Sequence, residues 1–236
     1  SHIAPARIQR LNDLVPARGS YVLYWMQQSQ RAEQNHALEY AVQRANERRQ
    51  PLLVGFGLGD GYPDANLRHY HFMLEGLCET QRALRQRGLE LVVRRGDPAS
   101  VALDLGQDAS LIVCDRGYLR HQREWRRNVA SAARCEVVQV ESDVIVPVEV
   151  ASDKAEYAAR TIRPRLRRHL DEYLVELRPT PPDRDALGLR MDGLDLGDPG
   201  GLLSRLPLDR TVPPVPLFRG GASEGKKILR RFIRDD

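Results

Sequence analysis

The residues best suited to hold a ligand follow a short apolar run, residues 21–26 (YVLYWM), which opens into a polar stretch. Tyr24, Trp25 and Met26 fall where a buried strand would end, and Arg31 and Asn35 follow one turn apart on what reads as the first helix. An aromatic ring and a thioether at the carboxyl end of a strand can stack on a flat heterocycle, with Arg and Asn as polar anchors. The competing reading is that Trp25 and Met26 fill the core between sheet and helix.

Other chemistries find little support. His36, His69, His71, His121 and His169 are scattered, and His69 and His71, two apart, point to different faces of a helix. No HExxH, paired cysteine or GxSxG pattern occurs, so no metal and no catalytic nucleophile is expected. Residues 55–61 (GFGLGDG) alternate glycines without the GxGxxG spacing of a dinucleotide loop. Residues 219–226 (RGGASEGK) match a phosphate loop only loosely, and both glycine stretches read as turns. Cys78, Cys114 and Cys135 lack CxxC spacing and read as reduced, buried thiols of a cytoplasmic protein.

The elements that would position the candidates alternate regularly. Residues 21–26, 52–57, 90–94, 111–114 and 136–140 are short, apolar and rich in β-branched or aromatic residues, as strands buried on both faces are. Helical patterns fill residues 30–49, 66–86, 98–106 and 119–133. Five such repeats imply a parallel sheet covered by helices on both sides, an α/β fold of Rossmann-like type. Beyond Pro147 the repeat stops. Residues 154–163 and 165–177 read as two helical pieces broken at Pro164, and residues 180–216, rich in Pro, Gly and Asp, as a long surface linker. A last amphipathic helix begins near Glu224.

The 236 residues are 42% hydrophobic and 29% charged, the balance of a globular domain, with net charge +4. No apolar run approaches the roughly 18 residues a membrane span requires. Only Lys154, Lys226 and Lys227 are lysines, so the basic charge is carried by arginine, and its clusters at residues 123–127 and 160–168 are better candidates for partner contact than the total charge is. A GC-rich genome accounts for that bias as well as a partner does. Ser1 and His2 are set aside as a cloning remnant.

Three blocks carry a family resemblance: residues 24–38 (YWMQQSQRAEQNHAL), 67–77 (LRHYHFMLEGL) and 152–166 (SDKAEYAARTIRPRL). In order and approximate spacing they resemble the amino-terminal half of the class II cyclobutane pyrimidine dimer photolyases. The likeness covers nearly the whole chain, is weakest over residues 180–213, and departs from the pattern at Gln27, Gln28, Tyr62 and Pro63.

The resemblance implies strand order 3-2-1-4-5, with a cleft at the carboxyl ends of the first and fourth strands. It implies an antenna chromophore there, of 8-hydroxy-deazaflavin type rather than reduced folate, held by Tyr24, Trp25, Met26, Arg31 and Asn35 and rimmed by Asp115, Arg116, Glu141 and Asp143. Residues 1–178 then form the antenna domain, 179–222 an interdomain linker, and 223–236 the first helix of a missing helical domain that binds FAD. The parent acts on ultraviolet-damaged DNA as a carbon–carbon lyase, with some contacts to the DNA backbone from the arginine clusters. The chain alone holds no catalytic residue and is expected to be an inactive monomer. Lys154, Glu156, Tyr157 and Arg165 lie in the third block, with Glu156 and Arg160 spaced as an i,i+4 pair, while Arg160 and Arg163 are expected to join the two domains. Two other readings are a cryptochrome-like light sensor, which shares the fold, and a stand-alone nucleotide-binding α/β domain. The latter needs a glycine-rich loop that YWMQQSQR and CDRGYLR do not supply.

Overall fold

The computed structural model describes residues 3–235; Ser1, His2 and Asp236 lie outside them. Its centre is a six-stranded sheet built from β1 (Ile8–Arg10), β2 (Tyr21–Trp25), β3 (Leu52–Leu58), β4 (Glu90–Arg95), β5 (Ala109–Asp115) and β6 (Glu136–Val140). The order across the sheet is β1-β6-β5-β2-β3-β4. The five strands read from the apolar pattern are parallel and lie in the expected relative order. The five-stranded sheet is corrected by a sixth strand, β1, which pairs antiparallel with β6, Ile8 opposite Val140. At three residues with Gln9 and Arg10 exposed, it carries no apolar signal.

β2, β3, β5 and β6 are buried at every position, because helices cover both faces. On one face Val22, Tyr24 and Met26 pack with α1 (His36–Arg48) and α2 (Leu67–Gln86), through Leu38, Val42, Leu74 and Leu77. On the other, Leu23 and Trp25 pack with α3 (Pro98–Leu105) and α4 (Arg120–Ala132), through Ala102, Leu105 and Val129. Each fully buried aliphatic side chain contributes roughly 1.5–3 kcal/mol.

Two of the glycines read as turn residues are strand residues. Gly55 and Gly57 lie inside β3, where a Cβ on Gly57 would sit 2.6 Å from the Pro98 Cα and one on Gly55 2.7 Å from Leu105 Cδ1. Their missing side chains let α3 close on the sheet.

The first helix is shorter than expected. It begins at His36, and residues 27–35 form a loop, since apolar spacing starts only at Ala37 and Leu38. After α5 (Val148–Ala151) the expected break at Pro164 is also corrected: α6 (Ala159–Tyr173) runs through it, and residues 154–158 are not helical. Pro164 and Arg160 are both exposed, so water can satisfy the Arg160 carbonyl that the proline leaves without a helical donor.

The segment read as a surface linker is fastened along its length. It includes α7 (Pro199–Ser204), and Ala186, Leu196, Leu202, Leu203 and Leu206 are buried. Thr180 N donates to Glu39, Ala186 N to the Gly88 carbonyl and Leu194 N to the Val93 carbonyl. Finally α8 (Ala222–Asp235) docks its start on α2, where Gly220 N donates to Glu75 and Ser223 to Glu79. Those carboxylates take the amides that a phosphate would need, so residues 219–226 form a helix start held by α2.

Candidate functional site

The carboxyl ends of β2 and β5 lie side by side, Trp25 opposite Cys114. Strand alternation sends Tyr24 to the α1 face and Trp25 to the α4 face, which splits the candidate residues into separate groups.

On the α1 face, Tyr24 Oη donates to Asp115 Oδ1 at 2.7 Å and accepts from Asn35 Nδ2 at 2.9 Å. Asp115 Oδ2 accepts the Gln28 and Ser29 amides, both at 2.9 Å. Burial pushes the Asp115 carboxyl up to about 6 against the lowering effect of these donors, and burial with the Asp115 charge raises the Tyr24 phenol. Asn35 is the residue before α1, where its Oδ1 accepts Leu38 N at 3.0 Å. Such a cap is worth about 1 kcal/mol. Asn35 and Arg31 are therefore not a helical pair. Met26 is a fully buried core residue of this face.

Arg31 sits in the loop, paired with Asp143 at 2.7 Å and donating to the Ser142 carbonyl. Arg116 forms a second group: a bidentate pair with Glu149, 2.6 Å at its shorter bond, and a longer contact of 3.7 Å to the fully buried Glu141. Glu141 also accepts from Tyr118 Oη and from Val148 N. The nine candidates are thus anchored mainly to one another and to local backbone.

On the α4 face, Trp25 Nε1 donates to Gln27 Oε1 at 3.0 Å, and Trp25, Gln27, Asp115, Gln122, Trp125 and Arg126 line a small cleft. Gln28 and Gln122 are hydrogen-bonded across it, and outside lies a cluster of rings: Tyr62 on His121 at 4.8 Å, His121 on Trp125 at 5.0 Å. The cleft encloses about 10 Å³, enough for about one water. A tricyclic chromophore does not fit among these residues as they stand. Only Trp25 and Asp115 of the sequence candidates reach the cleft; Gln122, Trp125 and Arg126 were missed. Their spacing, all within one helical turn of α4, was the available signal.

The charged block after β6 is also rearranged. Glu156 pairs with Arg165 at 3.1 Å and accepts from Ser152, correcting the spacing argument for Arg160. Tyr157 is 96% exposed. Among the described residues no group of three His, Cys, Asp or Glu converges as a metal site would need. Burial pushes the Cys114 thiol up to about 12 and Cys135 to about 11, so both stay protonated.

Comparison with known proteins places this geometry. A family model described as DNA photolyase matches residues 22–183. The chain is 47% identical over 233 residues to the deoxyribodipyrimidine photo-lyase of Methanothermobacter thermautotrophicus, covering 97% of this chain and 51% of that one. It is 33% identical over 217 residues to the enzyme of the same name from Potorous tridactylus, covering 90% and 40%. The chain thus spans about half the length of the curated relatives it matches. In fold it is similar to a bacterial class III photolyase from Agrobacterium tumefaciens, with TM-score 0.68, 17% identity, and 92% and 45% coverage. It is also similar to an archaeal photolyase from Sulfolobus tokodaii whose crystal structure holds two FAD molecules, with TM-score 0.63, 19% identity, and 88% and 45% coverage.

Proposed function

Because the chain belongs to the DNA photolyase family, we propose that it is the amino-terminal α/β half of a light-dependent enzyme that splits cyclobutane pyrimidine dimers in ultraviolet-damaged DNA. The identity to the Methanothermobacter enzyme along nearly the entire chain carries this reading. We assign it to class II on the blocks at residues 24–38, 67–77 and 152–166, and place the parent in the cytoplasm as a monomer. Residues 1–178 are the α/β domain, 179–222 the connecting segment and 223–236 the first helix of a helical flavin-binding half. FAD bound in that half supplies the photoexcited electron. The residues of this chain contribute no group to that transfer.

What they contribute is a surface. Ile228, Leu229, Phe232 and Ile233 stand exposed on α8, and the side chains of Arg160 and Arg163 on α6 have no ion-pair partner among the described residues. An amphipathic helix and unpaired guanidinium groups favour an interdomain contact.

The antenna assignment rests on the family resemblance alone, with an 8-hydroxy-deazaflavin preferred to a reduced folate. The closed cleft beside Trp25 does not support it. Incubation with that deazaflavin, gel filtration and an absorption spectrum decide the matter: co-elution would require the residues lining the cleft to move apart, and its absence leaves this half as scaffold.

Loss of dimers from an irradiated oligonucleotide under light tests the main proposal. Repair is expected only from a polypeptide that continues beyond α8 into the flavin-binding half. Repair by the present chain with added reduced FAD, or by neither, overturns it.

A further inference from the structure

α4 has a second, outward-facing side. Between it and the turn that follows β1 runs an open groove of about 730 Å³, walled by Leu11, Asp13, Arg120, Arg123, Arg126 and Arg127. Arg120, Arg123 and Arg127 follow each other at i, i+3 and i+7, so they form one stripe along α4, about 10 Å from first to last. All three are exposed, and none forms an ion pair among the described residues. Among the described residues the only carboxylate on the groove wall is Asp13.

Arg126 makes the imbalance sharper. It is 9% exposed, and its guanidinium is spent on neutral acceptors: Gln139 Oε1 at 2.8 Å and the carbonyls of Gly117 and Gln122. Burial, with Arg116 and Arg123 nearby, lowers its pKa. Buried charges are ordinarily paired, and this one has no carboxylate within ion-pair distance. The groove floor is fixed. Asn12 donates to the carbonyls of Ala130 and Cys135 and accepts Val137 N, pinning the β1 turn against α4. A rigid groove with four guanidinium groups, none of them paired with a carboxylate among the described residues, has the chemistry of a phosphate-binding surface.

We propose that this groove binds the phosphodiester backbone of duplex DNA without reading sequence. Phosphates in series match a stripe of arginines, and the wall carries no exposed aromatic on which an unstacked base would rest. α4 lies on the sheet face opposite α2, where α8 docks, so the contact is separate from the surface offered to the flavin half. The choice of DNA as the polyanion rests on the photolyase reading; the electrostatic argument stands without it.

Fluorescence anisotropy of a labelled, undamaged duplex, titrated with the 236-residue chain over a series of salt concentrations, tests the proposal with no recourse to repair, so the two readings can fail separately. Arg120→Ala/Arg123→Ala/Arg127→Ala is expected to weaken binding at least about tenfold and to lower the log–log salt slope by about 3. The corresponding Lys variant should keep most of the slope, and Arg160→Ala/Arg163→Ala on α6 should leave it unchanged. Should the triple variant lose its circular dichroism, Arg123→Glu alone serves, with the same direction of change. An unaltered slope, a loss caused equally by the α6 pair, or binding of inorganic polyphosphate without binding of the duplex overturns it.

Discussion

The Tyr24 hydroxyl lies 2.7 Å from Asp115 Oδ1, and this bond joins the carboxyl ends of β2 and β5 where the sheet would otherwise open. Asn35 completes it from the start of α1. The three residues act as a buried polar tie whose donors and acceptors are matched within the protein.

Tyr24→Phe removes one donor to Asp115 and one acceptor for Asn35. A cost of about 1–3 kcal/mol in urea unfolding at neutral pH is expected. The Asp115 carboxyl, already at about 6, should titrate higher still by carbon NMR, because the Tyr24 bond favours its ionised form. An unshifted titration would dissolve the tie.

Two groups oppose one another in mild acid. Burial raises Asp115 from 3.8 to about 6, so between those values the native state holds a proton the unfolded chain has lost; this group's contribution falls as pH rises. Burial, with Arg7 and Arg31, lowers His36 from 6.5 to about 4, so the unfolded chain takes up its proton first and stability falls as pH falls. Relative to the parent, His36→Gln should gain stability on acidification from pH 6 to 4, and Asp115→Asn should lose it. Urea midpoints across that interval check both signs.

Glu39 is 2% exposed and paired with Arg87 at 2.8 Å, while Thr180 N donates to the same carboxylate. Arg87→Ala strands that charge, at a cost of about 3–5 kcal/mol. It also removes donors to the Ala32 and Thr180 carbonyls. A melting temperature lower by about 10 °C is expected, with earlier proteolytic cleavage near residue 180. Unchanged cleavage would mean that this pair does not fasten the segment.

Gly57→Ala and Gly61→Ala form a contrast within five residues of sequence. A Cβ at 57 collides with Pro98 backbone, whereas at 61 nothing lies within 4 Å. The first should cost about 1–3 kcal/mol and the second less than about 0.5 kcal/mol. Equal denaturation midpoints would refute the close approach of α3 to β3.

The parallel strands were legible because burial on both faces leaves unbroken apolar runs. β1 was not, since Ile8, Gln9 and Arg10 are held by pairing with β6, a partner more than a hundred residues away. The loop before α1 was misread as helix, although Asn35 directly before the apolar spacing of Ala37, Leu38 and Ala41 marks a cap. Pro164 misled for a different reason: the rule against proline in helices weakens where the orphaned carbonyl meets water. Residue type at a strand end singles out Tyr24, and only the family resemblance brings in Asp115. That they bond to each other depends on β2 and β5 being neighbours, and no local pattern carries that. Gln122, Trp125 and Arg126 were hidden by a helix that reads as a charged surface face.

Residues 180–206 have a consequence for association between chains. Along the outer side of β4, Leu194 N meets the Val93 carbonyl at 2.7 Å and Arg94 reaches the Asp192 carbonyl at 2.8 Å. At the opposite margin β1 is only three residues long and ends on Arg10. A second molecule finds no long row of open amides and carbonyls on which to lay a strand. While the segment stays fastened through Glu39, the aggregation route by strand addition is shut, and contacts between molecules must run through helix faces.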